Sequence, residues 1–151
     1  MKTLIIGGVA GGASCAARLR RLDEKAEIVI LERGEFISFA NCGLPYYIGG
    51  EITEKSNLTL QTPESFKARF NIEVRTFSEA VAIDTENKIV TVKDLKTSEE
   101  YAERYDSLVL SPGASPIRPR MDGIDSDRVF TLRNIPDTMR IKQYIEEKHP
   151  K

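Results

Sequence analysis

The chain has 151 residues, with 22 Lys+Arg against 23 Asp+Glu, a formal net charge of −1 and a single histidine. That length suits one domain, and with 40% apolar and 30% charged residues the composition is too apolar for disorder. A near-neutral balance gives nucleic acid or an anionic membrane no general attraction, so any anion site must be local.

The first predicted strand, Thr3 to Ile6, is the only apolar stretch near the N-terminus. It is far short of the roughly 20 apolar residues of a membrane span, so neither a span nor a signal peptide is expected. A glycine-rich turn, Gly7 to Gly12, leads into a helix ending near Leu22, and a second strand follows at Glu27 to Leu31. This is a βαβ opening. Ala13, Ala16, Ala17 and Leu19 mark a core face of small residues that lets the helix lie close on a sheet, while Ser14, Arg18 and Arg21 project together from a different face.

From Gly34 to Lys67 the pattern is loop-rich, with one short helix after Pro45 and another from Pro63 to Phe70. Strand character returns at Ile72 to Arg75, Ala80 to Ile83, Ile89 to Lys93 and Leu108 to Leu110, and a turn at Asn87 predicts an antiparallel meander over about residues 80 to 104. Ile135 to Glu147 reads as a closing helix with Asn134 at its N-cap and Pro136 in its first turn. The expected fold is α/β in three layers: a parallel sheet with helices on one face and the antiparallel meander on the other.

A strand entering Gly7-Gly8-Val9-Ala10-Gly11-Gly12 and then a helix presents backbone N–H groups to an anion where no side chain intrudes. Glu32, at the end of the second strand and 20 residues after Gly12, is placed to accept from ribose hydroxyls. Val9 departs from the pattern, since it takes the middle-glycine position and would crowd a pyrophosphate unless Gly8 and Gly11 relax the backbone around it. The competing reading is a tight turn serving helix packing alone.

Two cysteines, Cys15 and Cys42, are too few for a disulfide scaffold, and no Cys or His cluster has metal-ligand spacing, so no metal is expected. A reducing, cytoplasmic setting follows. Cys42 lies in Ser38-Phe39-Ala40-Asn41-Cys42-Gly43-Leu44-Pro45-Tyr46-Tyr47, just ahead of a predicted helix whose positive end favours a thiolate. A solitary cysteine is more often a buried small hydrophobe, and the residues alone leave both readings open. Cys15, on the alanine-rich helix, reads as buried.

Gly7 to Ser14, Glu32-Arg33, Ser38 to Tyr47, Tyr105 to Ala114 and Thr131-Leu132-Arg133-Asn134 together resemble the FAD-containing pyridine nucleotide-disulfide oxidoreductases, in particular their coenzyme A-disulfide and persulfide reductase branch. The resemblance implies an FAD/NAD(P)-binding Rossmann-like fold. It implies that Gly7, Gly8, Val9, Ala10 and Gly12 hold the FAD pyrophosphate, Glu32 and Arg33 the adenosine ribose and its surroundings, and the Val81 backbone the adenine. Ser111, Pro112 and Gly113 would form a second flavin-contacting turn, with Arg133 near it and Asn41 close to both flavin and thiol. Cys42 would be the redox nucleophile, and Ser14, Arg18, Arg21, Ser38, Asn41 and Arg69 would surround a coenzyme A disulfide or persulfide. Read from the residues alone, Arg18 and Arg21 are two solvated arginines.

Dithiol relatives carry a second cysteine where this chain has Tyr47, so the resemblance implies a single-cysteine cycle with an external thiol. Peroxide- and oxygen-reducing relatives place a histidine where this chain has Ala10, which disfavours an oxidase or peroxidase. His149, in a charged tail, reads as solvated. A third reading is a non-catalytic nucleotide-binding module. Residues 1–151 match the N-terminal FAD-binding portion of the family. Its longer members add an NAD(P)H-binding domain, return strands and a dimerisation domain, so the expectation is a homodimer at full length and weak flavin occupancy without activity in this portion alone.

Overall fold

A computed structural model describes residues 1–150. They form two compact units, one of Met1–Phe39 with Leu60–Gly113, the other of Ala40–Thr59 with the segment from Ala114 onward.

In the first unit β1 (Lys2–Ile6) and β2 (Glu27–Leu31) are short apolar runs, as strands covered on both faces must be. They pair in parallel with β3 (Glu73–Arg75) and β7 (Ser107–Leu110) in the order β3-β2-β1-β7. Because successive side chains alternate across a strand, Ile5, Ile28 and Ile30 enter one core with Ala13 and Ala16 of helix α1 (Ala10–Leu22) and Phe66 of helix α3 (Pro63–Phe70). Leu4, Val29 and Leu31 enter a second core with Val90, Val92 and Tyr105. That core joins the parallel sheet to the antiparallel meander of β4 (Ser78–Asp84), β5 (Ile89–Asp94) and β6 (Glu100–Arg104). The three expected layers are present.

Local chemistry sets the element ends. Thr62 and Ser65 form a reciprocal capping box at the start of α3, and Asn71 closes it in the left-handed region at φ 49°. Asp84 accepts both the backbone N–H and the side-chain amide of Asn87, fixing the turn between β4 and β5. Strand β6 is legible only as part of the meander, since Glu100, Glu103 and Arg104 give it the look of a loop. Its Glu103 is buried between two cations: Lys2 Nζ approaches at 2.5 Å and the Arg75 guanidinium pairs with its other oxygen.

In the second unit a single 3-10 turn, Asn41–Gly43, runs directly into the five-residue helix α2 (Leu44–Ile48), so Cys42 lies within that turn. Helix α4 (Ile135–Lys148) carries Asn134 at its N-cap, with the side chain accepting the Asp137 N–H at 2.9 Å and Pro136 in the first turn. It packs on α2, placing the Lys142 ammonium 4.0 Å from the Tyr47 ring centroid and 3.3 Å from the Tyr47 carbonyl oxygen. His149 closes α4 at φ 43° and is exposed.

Candidate active site

The glycine turn is built by close approach. Gly7 has φ +97°, and a Cβ there would lie 2.0 Å from the Ser111 carbonyl oxygen. A Cβ on Gly12 would lie 1.8 Å from the Gly7 carbonyl oxygen, so α1 seats on the turn only because position 12 has no side chain. Gly8 is similarly enclosed by Ile37 and Ile30. The Ser111 N–H donates to the Ile6 carbonyl at 2.8 Å, which carries the Ser111-Pro112-Gly113 turn alongside the glycine turn.

Helix α1 begins at Ala10 with no side-chain cap and no acidic residue in its first turn. Its leading N–H groups and the positive end of its dipole are therefore available to an anion. Glu32 is only 9% exposed, and its two carboxylate oxygens accept the N–H of Gly8 and of Gly34, each at 2.8 Å. Each oxygen keeps a lone pair for a further donor. A cavity of about 110 Å³ lies against this carboxylate, lined by Ile6, Gly7, Leu31, Glu32, Arg33, Ser78, Glu79, Ala80 and Pro112. An uncapped helix start, a fixed carboxylate acceptor and an adjoining recess suit the pyrophosphate and ribose of a dinucleotide.

Val81 does not line that cavity; it is exposed at the bulge where β4 slips register against β5, beside the lining residue Ala80. Arg33 is exposed at the cavity rim. Val9 lines a different recess.

That second recess is a groove of about 340 Å³ on the outer side of α1. Ala10, Ala13, Ser14 and Ala17 of α1 form one wall and Phe66 and Phe70 of α3 the other, with Val9, Ser38, Phe39, Leu60 and Gln61 completing it. Ser38 is held there at φ 46°, its N–H donating to the Gly8 carbonyl at 3.2 Å and its carbonyl accepting from Leu60 at 3.0 Å. Ser14, Arg18 and Arg21 are exposed on α1, and neither arginine has an ion-pair partner among the described residues. Arg69 is exposed on α3 with its guanidinium 5.1 Å from the Phe70 ring centroid.

Asn41, Cys42 and Arg133 belong to the second unit. Cys42 is an exposed free thiol, which removes the buried-hydrophobe reading. Cys15, expected buried, is half-buried. Arg133 donates from Nε to the Ala114 carbonyl at 2.8 Å. Among the described residues no cluster of His, Cys, Asp or Glu is arranged to hold a metal, and no helix is long and apolar enough to cross a membrane.

Sequence reasoning missed the groove's other wall. The short helix from Pro63 to Phe70 was expected, but nothing in the sequence set Phe66 and Phe70, or Leu60 and Gln61 of the loop-rich stretch, beside α1. Arg20 also gave no signal beyond its charge, yet it makes four hydrogen bonds to backbone carbonyls.

The layering and strand order are those of the Rossmann-like α/β fold of FAD/NAD(P)-binding proteins. The chain belongs to the pyridine nucleotide-disulphide oxidoreductase family, whose model matches residues 1–149. It is 45% identical to the coenzyme A disulfide reductase of Staphylococcus haemolyticus over 150 residues, covering 99% of this chain and 33% of that protein. Among solved structures it is similar to reduced CoADR-RHD of Bacillus anthracis, at 59% identity and TM-score 0.95 over 99% of this chain and 27% of that one. It is also similar to an NAD-dependent persulfide reductase from A. fulgidus, at 37% identity and TM-score 0.91 over 97% and 27%. The chain spans about a third of the length of the curated relatives it matches.

Proposed function

We propose that residues 1–151 are the FAD-binding, thiol-bearing portion of a single-cysteine disulfide or persulfide reductase acting on coenzyme A disulfide or a related persulfide. In this reading the Gly7–Gly12 turn, with Val9 and Ala10 contributing backbone, binds the FAD pyrophosphate, and Glu32 and Arg33 bind the adenosine ribose. The strand from Ser78 to Val81 flanks the adenine. Ser111, Pro112, Gly113, Asn41 and Arg133 serve the remainder of the flavin. Bound FAD supplies the electron pair, taken from NAD(P)H in the longer homodimeric enzyme.

The Cys42 thiolate attacks one sulfur of the external disulfide. The S–S bond breaks, one coenzyme A thiolate leaves, and Cys42 retains the other half as a mixed disulfide. Two electrons and a proton then release the second thiol and restore the Cys42 thiolate. Ser14 and Ser38 offer hydroxyls to the pantetheine arm along the apolar groove, Asn41 orients the thiol segment, and Arg18, Arg21 and Arg69 meet the phosphates.

The observation that carries this reading is the pairing of an apolar groove with exposed, unpaired arginines on the same helix. A merely solvated helix face needs no groove beside it. The test is incubation of the chain with coenzyme A disulfide, followed by mass mapping. Cys15→Ser should still form the mixed disulfide at Cys42, and Cys42→Ser should form none. Adduct formation only at Cys15 would overturn the assignment. Reversing charge at Arg18 and Arg21 together should slow the reaction with coenzyme A disulfide by about tenfold or more while sparing a small uncharged disulfide.

A further inference from the structure

We infer that Arg20, which no substrate or cofactor role uses, is a positioning residue that sets the width of the groove between α1 and α3. The inference rests on the groove being the substrate site proposed above. From the last turn of α1 its Nε donates to the Phe70 carbonyl at 2.8 Å, and one terminal nitrogen donates to the Asn71 carbonyl at 2.9 Å. The other terminal nitrogen donates to the Asp23 and Glu24 carbonyls at 3.2 and 2.6 Å.

Two of these acceptors close α3 and two follow α1, so one guanidinium ties together the C-terminal ends of both helices that wall the groove. Each helix end carries about half a negative charge and carbonyls lacking a helical partner. Bringing two such ends together is unfavourable without a cation between them. Arg20 has no carboxylate partner among the described ion pairs, so its charge is given wholly to the backbone. The planar fork matters as well as the charge, because a lysine ammonium offers three donors from one point and cannot span both ends.

Phe70 is both an acceptor through its carbonyl and a groove wall through its ring. Releasing Arg20 therefore frees the wall itself. The cavity beside Glu32 shares no lining residue with the groove and should be indifferent.

The test compares Arg20→Met and Arg20→Lys with wild type, using coenzyme A as the groove probe and FAD as the control ligand. Arg20→Met should weaken coenzyme A by about tenfold, Arg20→Lys should recover part of that loss, and FAD affinity should stay within about twofold of wild type. Millimolar methylguanidinium should partly restore coenzyme A binding to Arg20→Met. In parallel, amide hydrogen exchange over residues 66 to 71 should quicken in Arg20→Met while exchange in β1 and β2 does not change.

Equal losses for coenzyme A and FAD would show a general structural role and overturn the inference, as would unchanged binding and exchange. If wild type fails to bind coenzyme A while exchange responds as described, the substrate reading of the groove falls and the inference about binding falls with it. The helix-tying role alone then stands.

Discussion

Gly7 shows how far a single missing side chain reaches. Its positive φ and the Ser111 carbonyl packed where a Cβ would go mean that Gly7→Ala must displace backbone rather than a flexible side chain. We expect a loss of about 3 kcal/mol or more in urea denaturation, the range of substitutions that strain a special φ/ψ. Ala10 gives the opposite case. It is exposed in the first turn of α1, so Ala10→Asp adds a carboxylate where the helix dipole welcomes one and should stabilise the fold by about 0.3–1 kcal/mol. The same carboxylate should repel a pyrophosphate, so flavin titration should show sharply weaker binding in the more stable protein. Undiminished flavin affinity would remove the pyrophosphate from this turn. Both residues were legible in the sequence because they belong to a contiguous strand, glycine turn and helix, although the atom that crowds Gly7 comes from Ser111. Arg20 was not, because two of its acceptors lie some 50 residues along the chain.

Among the elements, the meander was readable strand by strand where apolar and polar residues alternate, as in β5, and only as part of the expected span where charge dominates, as in β6. The reason lies at Glu103. Burial alone would push its carboxyl up, but hydrogen bonds from Lys2 and Arg75 outweigh that and hold it below the ordinary value of 4.5. A carboxyl lowered in the folded state stabilises the fold at pH above its unfolded value, and this contribution is lost as pH falls through the folded value. Lys2 is shifted up, chiefly by its hydrogen bond to Glu103 and then by Glu27, so its contribution is present below 10.5 and is lost in more alkaline solution. Denaturant titrations should therefore show Glu103→Gln costing about 1–3 kcal/mol at neutral pH. The difference from wild type should shrink on acidification below about pH 4. A difference that stays constant down to pH 3 would mean that the carboxylate's charge is not what holds β6.

For the whole molecule, the division into two units was not visible in composition, since no linker-like stretch separates them. The second unit draws its residues from two distant segments, and one of these opens with more than twenty residues that have only turns. Exposed backbone without ladder or helix bonds opens locally at little cost. Limited trypsin digestion should therefore cut first after Arg120 or Arg128, both exposed in that stretch, and spare Arg18 and Arg21, which are exposed but helical. Arg118 precedes a proline and should resist. A first cut inside α1 would contradict the structure. The site was only half legible for a related reason. A phosphate turn is a local pattern, whereas the groove exists only because α3 returns to α1 after 40 intervening residues.

The central place of β1 bears on how the protein emerges from the ribosome. Ile5 pairs with Ile30 on one side and with Val109 on the other. The first partner arrives almost at once, while the second requires about a hundred further residues of translation, on the order of 5–20 s at ordinary elongation rates. During that interval one edge of β1 has no ladder, and the Ser111 carbonyl that packs against Gly7 has not been made. Until then the β1–β2 pair presents an open sheet edge of the kind a holding chaperone protects. The Gly7–Gly12 turn therefore takes its final form only about a hundred residues after it is itself synthesised.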